Sequence, residues 1–347
     1  MLTIMVPTMN RSEFLIRQLE YYAATGYPHW VAVADSSDDH HRRRTEEAIA
    51  RLKGKLKVVY HHMPKTNDYV CLKYLVDTAQ TPYAVYCGDD DFMVTSGVLE
   101  AVSFLERNSG YAGANGRGVV FTLENSGPYG RFAGLGEYAQ KGVEQMTAKE
   151  RLMAYASSGF VSIFSVLRVA LWQKMYHDVH RVPDKAMGAE ILPCYLSVIY
   201  GRIKHLDHLY LIRQVHDQRY TLPDVYDWLT GPLWGASFQL SRTFWVDALM
   251  AADGMDRSSA EKIVKQAFML YLKNGLRKTY QNHYCTAGWQ VLGRKVLGKL
   301  RTMAGHQERL NLKVLLDPAS LHFKDFVPLH ACVTRSTGSQ KITEGKF

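Results

Sequence analysis

Short apolar segments alternate with helix-like segments over roughly the first 120 residues, and this alternation restricts the possible folds more than any other feature of the sequence. The apolar segments have the length of single buried strands, and the segments between them repeat apolar residues at helical spacing. Strands that alternate with helices of this length predict βαβ units and a mostly parallel sheet. The predicted strands lie at 2–8, 30–35, 56–61, 83–88 and 111–122.

The intervening segments give the predicted helices of this α/β region. The first helix is expected to begin after Asn10, because Asn10 and Glu13 have the spacing of a capping box. Further helices are predicted at 42–53, 68–80 and 96–107. Right-handed crossovers place the carboxyl ends of parallel strands on one edge of the sheet, and ligands bind at that edge in such folds.

The chain after residue 122 has weaker patterns. Residues 123–146 are rich in glycine and polar residues, which predicts a long loop, and residues from 224 onward are predicted to be mostly helical. The polar tail at 336–347 is predicted to be disordered. Between the loop and the helical region, the predicted elements are helices at 147–156 and 170–180, a strand at 160–168, a loop leading into a helix over 183–201 and a strand within 202–216.

Acidic residues follow two of the predicted strands. Asp35 ends the second strand, and Asp89, Asp90 and Asp91 follow the fourth within YCGDDDFM (86–93). Adjacent carboxylates repel each other, and a divalent cation removes that repulsion. Mg²⁺ or Mn²⁺ commonly binds one or two carboxylates together with substrate phosphates. The pattern therefore predicts a metal-dependent diphosphate site, and the alternative is an acidic loop that caps the following helix.

The segments MVPTMNRSEFL, VAVADSSDD and TPYAVYCGDDDF, in this order and at these separations, resemble the family 2 glycosyltransferases of the GT-A fold. The resemblance is good over residues 1–120, thinner over 121–216 and absent beyond 220. It implies a Rossmann-like, mostly parallel central sheet with helices on both faces, and the helical pattern from residue 224 onward adds a mainly helical C-terminal region. It also implies a hexosyltransferase-type enzyme with a nucleoside-diphosphate sugar donor, a UDP-sugar above all, a divalent metal, and inversion at the anomeric carbon.

The resemblance also divides the chain. It implies a glycosyltransferase domain over 1–220, with a nucleotide-binding half at 1–120 and an acceptor half at 121–220. A basic helical region would follow at 221–335.

Several residues match positions that bind the donor in this family. Pro7 and Thr8 end the first strand where the family cradles the nucleotide, and Asp35 matches the residue that contacts the base. The family often reads Asp-x-Asp-Asp where this chain has Gly88 first, so the two aspartates that touch metal and sugar stay open at this stage. The resemblance implies donor binding by Pro7, Thr8, Asp35, Lys73, Asp89, Asp90, Arg213 and His216, and metal binding by Asp90 and Asp91.

The family also places a carboxylate general base near the start of a helix in the second half. The matching segment is DKAMGAEILPCY (184–195), in which Glu190 is the first choice and Asp184 the second. A carboxylate there would take the proton of the acceptor hydroxyl. The alternative role for Glu190 is an acidic residue that is favoured in the first helical turn by the helix dipole.

The net charge of +9 is concentrated near the C-terminus. Residues 257–309 contain eleven Lys or Arg residues and only two Glu residues, so this segment alone accounts for +9. Amphipathic basic helices over 260–303 would suit peripheral contact with an anionic membrane and a glycan or lipid-linked acceptor. The alternative is a helical bundle that packs on the catalytic domain. No RNA-binding or helix-turn-helix signature favours nucleic acid.

The remaining features exclude several other classes. No apolar stretch reaches the roughly 20 residues of a membrane span, and the five scattered cysteines argue for a reducing compartment, so we expect a cytoplasmic protein, either free or on the cytoplasmic face of a membrane. A dehydrogenase is disfavoured because GxGxxG is missing. The alternatives that stay open are a metal-dependent sugar-phosphate nucleotidyltransferase and an inactive glycan-binding module.

Overall fold

The computed structural model describes residues 1–284 and 309–335. Within this part of the chain, nine strands form one sheet with helices on both of its faces. The strands are β1 (Leu2–Thr8), β2 (Trp30–Asp35), β3 (Lys57–His62), β4 (Tyr83–Tyr86), β5 (Phe92–Met93), β6 (Tyr111–Leu123), β7 (Phe132–Tyr138), β8 (Val166–Arg168) and β9 (Arg202–Gln214). Their order is β3-β2-β1-β4-β8-β6-β9-β5, and β7 pairs with β6 outside this path.

The described helices fall into two sets, one in the α/β region and one after β9. The first set is α1 (Ser12–Ala24), α2 (Asp39–Arg51), α3 (Asp68–Thr78), α4 (Thr95–Arg107), α5 (Ala148–Ser158), α6 (Val169–Tyr176) and α7 (Leu192–Tyr200). A π-helical turn, Met187–Ile191, leads into α7. The second set is α8 (Val225–Leu229), α9 (Trp234–Asp253), α10 (Arg257–Tyr284), α11 (Leu312–Leu315) and α12 (Phe323–Thr334).

The first half of the sheet has the parallel arrangement that the sequence predicts. β3, β2, β1 and β4 are parallel neighbours, and Thr8 at the end of β1 pairs with Asp35 at the end of β2. β8 joins this half to β6 through antiparallel pairs on both sides, and β6 pairs with β9 in parallel. The predicted α/β fold is therefore confirmed, with a helical C-terminal region after the sheet.

Alternating side chains along the central strands build one hydrophobic core on each face. In β1, Ile4 and Val6 belong to the core shared with α1 and α4, whereas Met5 belongs to the core shared with α3, α6 and α7. The C-terminal helices complete both cores. Trp245 of α9 is buried in the core that contains Met5, and Phe326 of α12 is buried in the core that contains Ile4 and Val6. The predicted boundary at residue 220 does not separate two hydrophobic cores.

Some local predictions are wrong for physical reasons. Residues 123–146 were predicted to form a long loop but contain β7, which pairs with β6. The segment is irregular and rich in glycine and lacks strand periodicity, so its sequence alone does not indicate a strand. The predicted strand at 160–168 is a 3₁₀ turn followed by the short β8. Asn10 does not cap α1; it has a φ of 54°, and its amide oxygen accepts a hydrogen bond from the backbone N–H of Asp38 at 2.9 Å.

Part of the basic region lies outside the described residues, namely 285–308, and so does the tail at 336–347. Among the described helices, none combines the length and the apolar character that crossing a bilayer requires.

Candidate active site

A cavity of about 420 Å³ opens at the carboxyl ends of β1 and β4. Its walls come from segments that are far apart in sequence, and they meet at the edge that the parallel topology predicts. The lining residues come from five segments. They include Pro7, Thr8, Met9 and Arg11 at and after the end of β1, Asn67, Asp68 and Tyr69 at α3, Gly88, Asp90 and Asp91 after β4, Lys185, Ala186, Ala189 and Glu190 around the π-helical turn, and Arg213, Gln218, Arg219 and Tyr220 at and after the end of β9.

Asp89 lies beneath the cavity and is fully buried. Its carboxylate forms an ion pair with the guanidinium of Arg11 and accepts a hydrogen bond from Thr8 Oγ1 at 2.6 Å. Burial raises the pKa of Asp89 to about 7, and Arg11 offsets part of that increase. Asp89 thus joins the ends of β1 and β4. The adjacent residues Gly88, Asp90 and Asp91 line the cavity.

Asp90 lines the cavity and has two cationic or polar partners on one oxygen. His216 Nε2 donates to Asp90 Oδ2 at 2.8 Å, and Arg11 Nη1 lies 3.2 Å from the same atom. Burial alone would raise the pKa of Asp90, but the bond from His216 and the charge of Arg11 outweigh it and lower the pKa to about 2. Asp90 is therefore the member of the cluster that is held most firmly as an anion.

His216 supports Asp90 from behind instead of facing the cavity. Its ring is buried and stacks on Phe14 with 4.6 Å between ring centroids. The backbone N–H of Gln218 donates to His216 Nδ1 at 3.2 Å, so the proton that bonds to Asp90 is carried by Nε2. His216 therefore orients a carboxylate of the site, and its contact with a donor stays a prediction.

Asp91 is held by the end of β9. Arg213 Nε lies 2.7 Å from Asp91 Oδ2, and the backbone N–H of Gln214 donates to Oδ1 at 3.2 Å. Burial raises the pKa of Asp91 to about 6, and Arg213 offsets part of the increase. Arg213 also lines the cavity and donates to the hydroxyl of Tyr138 at 3.1 Å. The prediction that Arg213 belongs to the site agrees with this position.

Two buried side chains of α1 fix the backbone of the aspartate loop. Arg17 Nη2 donates to the carbonyl oxygen of Asp90 at 3.0 Å, and Gln18 Nε2 donates to the carbonyl oxygens of Gly88 and Asp91 at 2.6 Å each. The loop also leaves no room at Gly88, where an added Cβ would lie 2.7 Å from Asp90 Oδ1. A side chain at Gly88 would therefore displace the Asp90 carboxylate.

The structure supplies organic cations for the repulsion that the sequence analysis assigned to a metal. Asp89 pairs with the guanidinium of Arg11, Asp91 with that of Arg213, and Asp90 with that of Arg11, while His216 adds a hydrogen bond to Asp90. Neutralisation of the aspartates is therefore no longer an argument for a metal. No group of three or more His, Cys, Asp or Glu residues in the described chain could hold an ion by itself.

A divalent ion still fits the donor set at one atom. Asp90 Oδ1 accepts no hydrogen bond from the described residues, whereas both oxygens of Asp91 are occupied by Arg213 and Gln214. One carboxylate oxygen is enough for an ion that takes its other ligands from phosphates and water. Of the two predicted metal ligands, Asp90 has the free oxygen and Asp91 does not.

Asp35 and Lys73 do not line the cavity. Asp35 is buried at the same sheet edge, where it accepts hydrogen bonds from the hydroxyl of Tyr60 and the N–H of Ser37, each at 2.8 Å. Lys73 pairs with Asp77 one turn along α3, with its Nζ 2.7 Å from the carboxylate. The helical register of α3 turns Lys73 to the outer surface, so the structure does not bring it to the predicted diphosphate position.

Glu190 and Asp184, the two predicted general bases, have different environments. Glu190 lies in the π-helical turn, lines the cavity and has no hydrogen-bond or ion-pair partner among the described residues. Burial raises the pKa of Glu190 above the usual glutamate range. Asp184 instead accepts bonds from the N–H of Met187 at 2.8 Å and from Trp228 Nε1 at 2.9 Å. Asp184 therefore stabilises the turn that presents Glu190.

Three residues of the site were not predicted from the sequence, namely Arg11, Arg17 and Gln18. Arg11 carried a usable signal, because it is a cation just after the first strand, at the edge where the aspartates were expected. Arg17 and Gln18 interrupt the apolar face of α1 that contains Leu15 and Leu19. Polar residues on a buried helical face need buried hydrogen-bond partners. Their presence in the sequence therefore indicated a polar site that packs against α1.

Neither a protein-family model nor a curated protein matches the sequence. Among solved structures, crystal structures of S. aureus TarS 1-349 are similar to this chain. One has a TM-score of 0.52 at 14% identity, with 82% of this chain and 75% of that chain covered. Another, in complex with UDP-GlcNAc, has a TM-score of 0.53 at 15% identity, with 82% and 76% covered. A longer TarS structure has a TM-score of 0.50 at 14% identity. That match covers 82% of this chain and 45% of the longer one. At these identities the likeness shows the fold alone, which is of the GT-A type.

Proposed function

We propose that this protein is an inverting glycosyltransferase that moves a sugar from a nucleoside-diphosphate sugar to a hydroxyl of a glycan or lipid-linked acceptor. The observation that carries the proposal is that the unpaired carboxylate of Glu190 shares one cavity with Asp90 and Arg213. A base and a cationic diphosphate site are the two parts that this transfer requires. A UDP-sugar is the first expectation for the donor, since a similar fold was solved with UDP-GlcNAc.

The donor diphosphate would lie beside Arg11 and Arg213. Both guanidinium groups line the cavity, and each is already anchored by a buried aspartate. A planar guanidinium donates paired hydrogen bonds to phosphate oxygens, and its anchoring limits the entropy that is lost when the ligand binds. Arg219, at the cavity wall, adds a third cation that can contact the ligand.

A Mn²⁺ or Mg²⁺ ion would be held by Asp90 Oδ1, with the remaining ligands coming from the diphosphate and water. When bound, the ion stabilises the negative charge that develops on the nucleoside diphosphate as it leaves. The residues of this chain keep Asp90 ready for that role, because His216 and Arg11 hold it ionised and correctly turned.

Glu190 would act as the general base. The acceptor hydroxyl gives its proton to the Glu190 carboxylate while its oxygen forms a bond to the anomeric carbon. The bond from that carbon to the diphosphate oxygen breaks on the opposite face, which inverts the configuration. Burial raises the pKa of Glu190, and a raised pKa makes its carboxylate a stronger base than that of an exposed glutamate.

The test separates donor binding from transfer. A thermal-shift screen of UDP-sugars with and without Mn²⁺ would identify the donor, and UDP release would then report transfer of the sugar to water or to an added acceptor. Glu190→Gln should bind UDP and Mn²⁺ with wild-type affinity by calorimetry and lose at least about 100-fold in UDP release.

Asp184→Asn is the matched comparison, since it changes the other acidic residue of the same segment. We expect it to lower stability through Met187 and Trp228 and to keep much more activity than the Glu190 variant. Near-normal turnover in Glu190→Gln would place the base elsewhere and refute this assignment.

A further inference from the structure

One face of α10 is exposed along most of its length and carries both cations and large apolar side chains. Met269 is 59% exposed and Leu276 is 38% exposed, although both residues are apolar. Around them, the exposed residues recur at helical spacing. We define the α10 stripe as Lys262, Lys265, Gln266, Met269, Lys273, Leu276 and Arg277.

The stripe covers a single side of the helix. At 100° per residue, these seven positions fall within about 120° of the helix circumference. The stripe contains four cations and no acidic residue, and none of these cations forms an ion pair within the described residues. Glu261, the acidic residue nearest to it on the same helix, is paired with Arg242 at 3.3 Å. The positive charge of the stripe is therefore not neutralised by its own helix.

The opposite side of α10 is fixed to the protein. Ile263, Val264, Ala267 and Phe268 are buried in the core that contains Trp245. The apolar residues of the stripe therefore cannot turn inward without breaking that core. Their exposure is a stable property of the folded chain and not a consequence of a loosely packed helix.

The C-terminal part of α10 lies close to the segment that lines the cavity. Thr279 donates to Asp224 Oδ2 at 2.5 Å, and Val225 packs so closely against Gly275 that a Cβ there would lie 2.5 Å from its Cγ2. Asp224 follows Tyr220, a residue of the cavity wall, by four positions.

We propose that the α10 stripe docks this protein on the surface of an anionic lipid bilayer. Cations match the lipid phosphates, and the interleaved Met269 and Leu276 match the apolar layer beneath them. A nucleic acid has complementary charge but offers no apolar layer to these side chains. The inference does not depend on sugar transfer, because vesicle binding is measured without donor or acceptor.

Flotation of the full-length protein with vesicles tests the proposal. We expect binding to phosphatidylglycerol-containing vesicles, little binding to pure phosphatidylcholine vesicles, and weaker binding as salt increases. Lys262→Glu/Lys265→Glu/Lys273→Glu should lower the partition coefficient at least about 100-fold, since the loss of each surface cation costs about fivefold and each new carboxylate adds repulsion. Met269→Ser/Leu276→Ser should also weaken binding and reduce its salt-resistant part.

The control is Lys53→Glu/Lys313→Glu/Lys324→Glu, which makes the same change in net charge at exposed lysines in the turn after α2, on α11 and on α12. It should bind vesicles nearly as well as the wild type, and UDP binding should be unchanged in every variant. Wild-type flotation of the α10 charge variant, an equal loss in the control, or binding of RNA without binding of anionic vesicles would each overturn the proposal.

Discussion

Gly88→Ala tests whether the aspartate loop must keep its present geometry. A Cβ at this position would lie 2.7 Å from Asp90 Oδ1 and 3.5 Å from Asp91 Oδ2. Relief of the first contact requires a shift of about 0.7 Å, because ordinary contacts begin at 3.4 Å. Asp90 cannot make this shift freely, since Arg11 and His216 hold its other oxygen.

The size of the effect follows from those bonds. The His216–Asp90 hydrogen bond is 2.8 Å long, and a displacement of that size stretches it to the limit of hydrogen bonding. A charge-assisted bond of this kind contributes about 1.5–3 kcal/mol, and overpacking costs about 1–3 kcal/mol. We expect the free energy of unfolding to fall by about 2 kcal/mol and the Mn²⁺-dependent affinity for UDP to fall about 10- to 100-fold.

Isothermal titration calorimetry with UDP, in the presence and absence of Mn²⁺, measures this loss directly. Gly136→Ala is the control, because it makes the same substitution in β7 with no atom within 4 Å of the added Cβ. Its UDP affinity should equal that of the wild type. The reasoning is refuted if Gly88→Ala binds UDP and Mn²⁺ as tightly as the control does.

Three further predictions concern the groups around the cavity. UDP release should rise with pH through an apparent pKa above the usual glutamate range, since burial raises the pKa of Glu190 and only its ionised form accepts a proton; a pH-independent rate would contradict this role. Arg213→Ala should lower the free energy of unfolding by about 3–5 kcal/mol in urea, because it leaves Asp91 buried without its cation. Arg17→Met should destabilise the chain by a similar amount, with buried carbonyl oxygens left unpaired; a loss below about 1 kcal/mol would mean that water replaces the guanidinium.

Much of the first half of the fold was readable because its signals are local. The runs that became β1 and β2 are continuous and apolar, so strand length and position followed from the sequence. β7 was missed because its residues alternate neither in polarity nor in β-propensity, and only pairing with β6 makes the segment a strand. Asn10 was misassigned because its contact with Asp38 competes with the helix cap, and that contact is 28 residues away in sequence.

The site was predictable to the extent that topology determines it. Parallel strands brought Asp35 and the aspartate loop to one edge, as expected. The partners of the aspartates were not predictable, because Arg213 lies 122 residues from Asp91 and no periodicity relates them. Lys73 lies outside the cavity because of the rotation of α3 about its axis. A shift of one residue in helical position changes that rotation by about 100°, and the sequence pattern does not determine it so finely.

The side chains that hold the aspartate loop come from two distant parts of the chain, which limits what a fragment of this protein can retain. Asp90 and Asp91 come from the first third of the chain, whereas His216 and Arg213 come from the end of β9. A fragment that ends at residue 120 would keep the three carboxylates and lose Arg213 and His216, so the aspartates would repel one another more strongly. The geometry of the aspartate loop is therefore a property of the complete sheet, and the N-terminal part alone would not reproduce it.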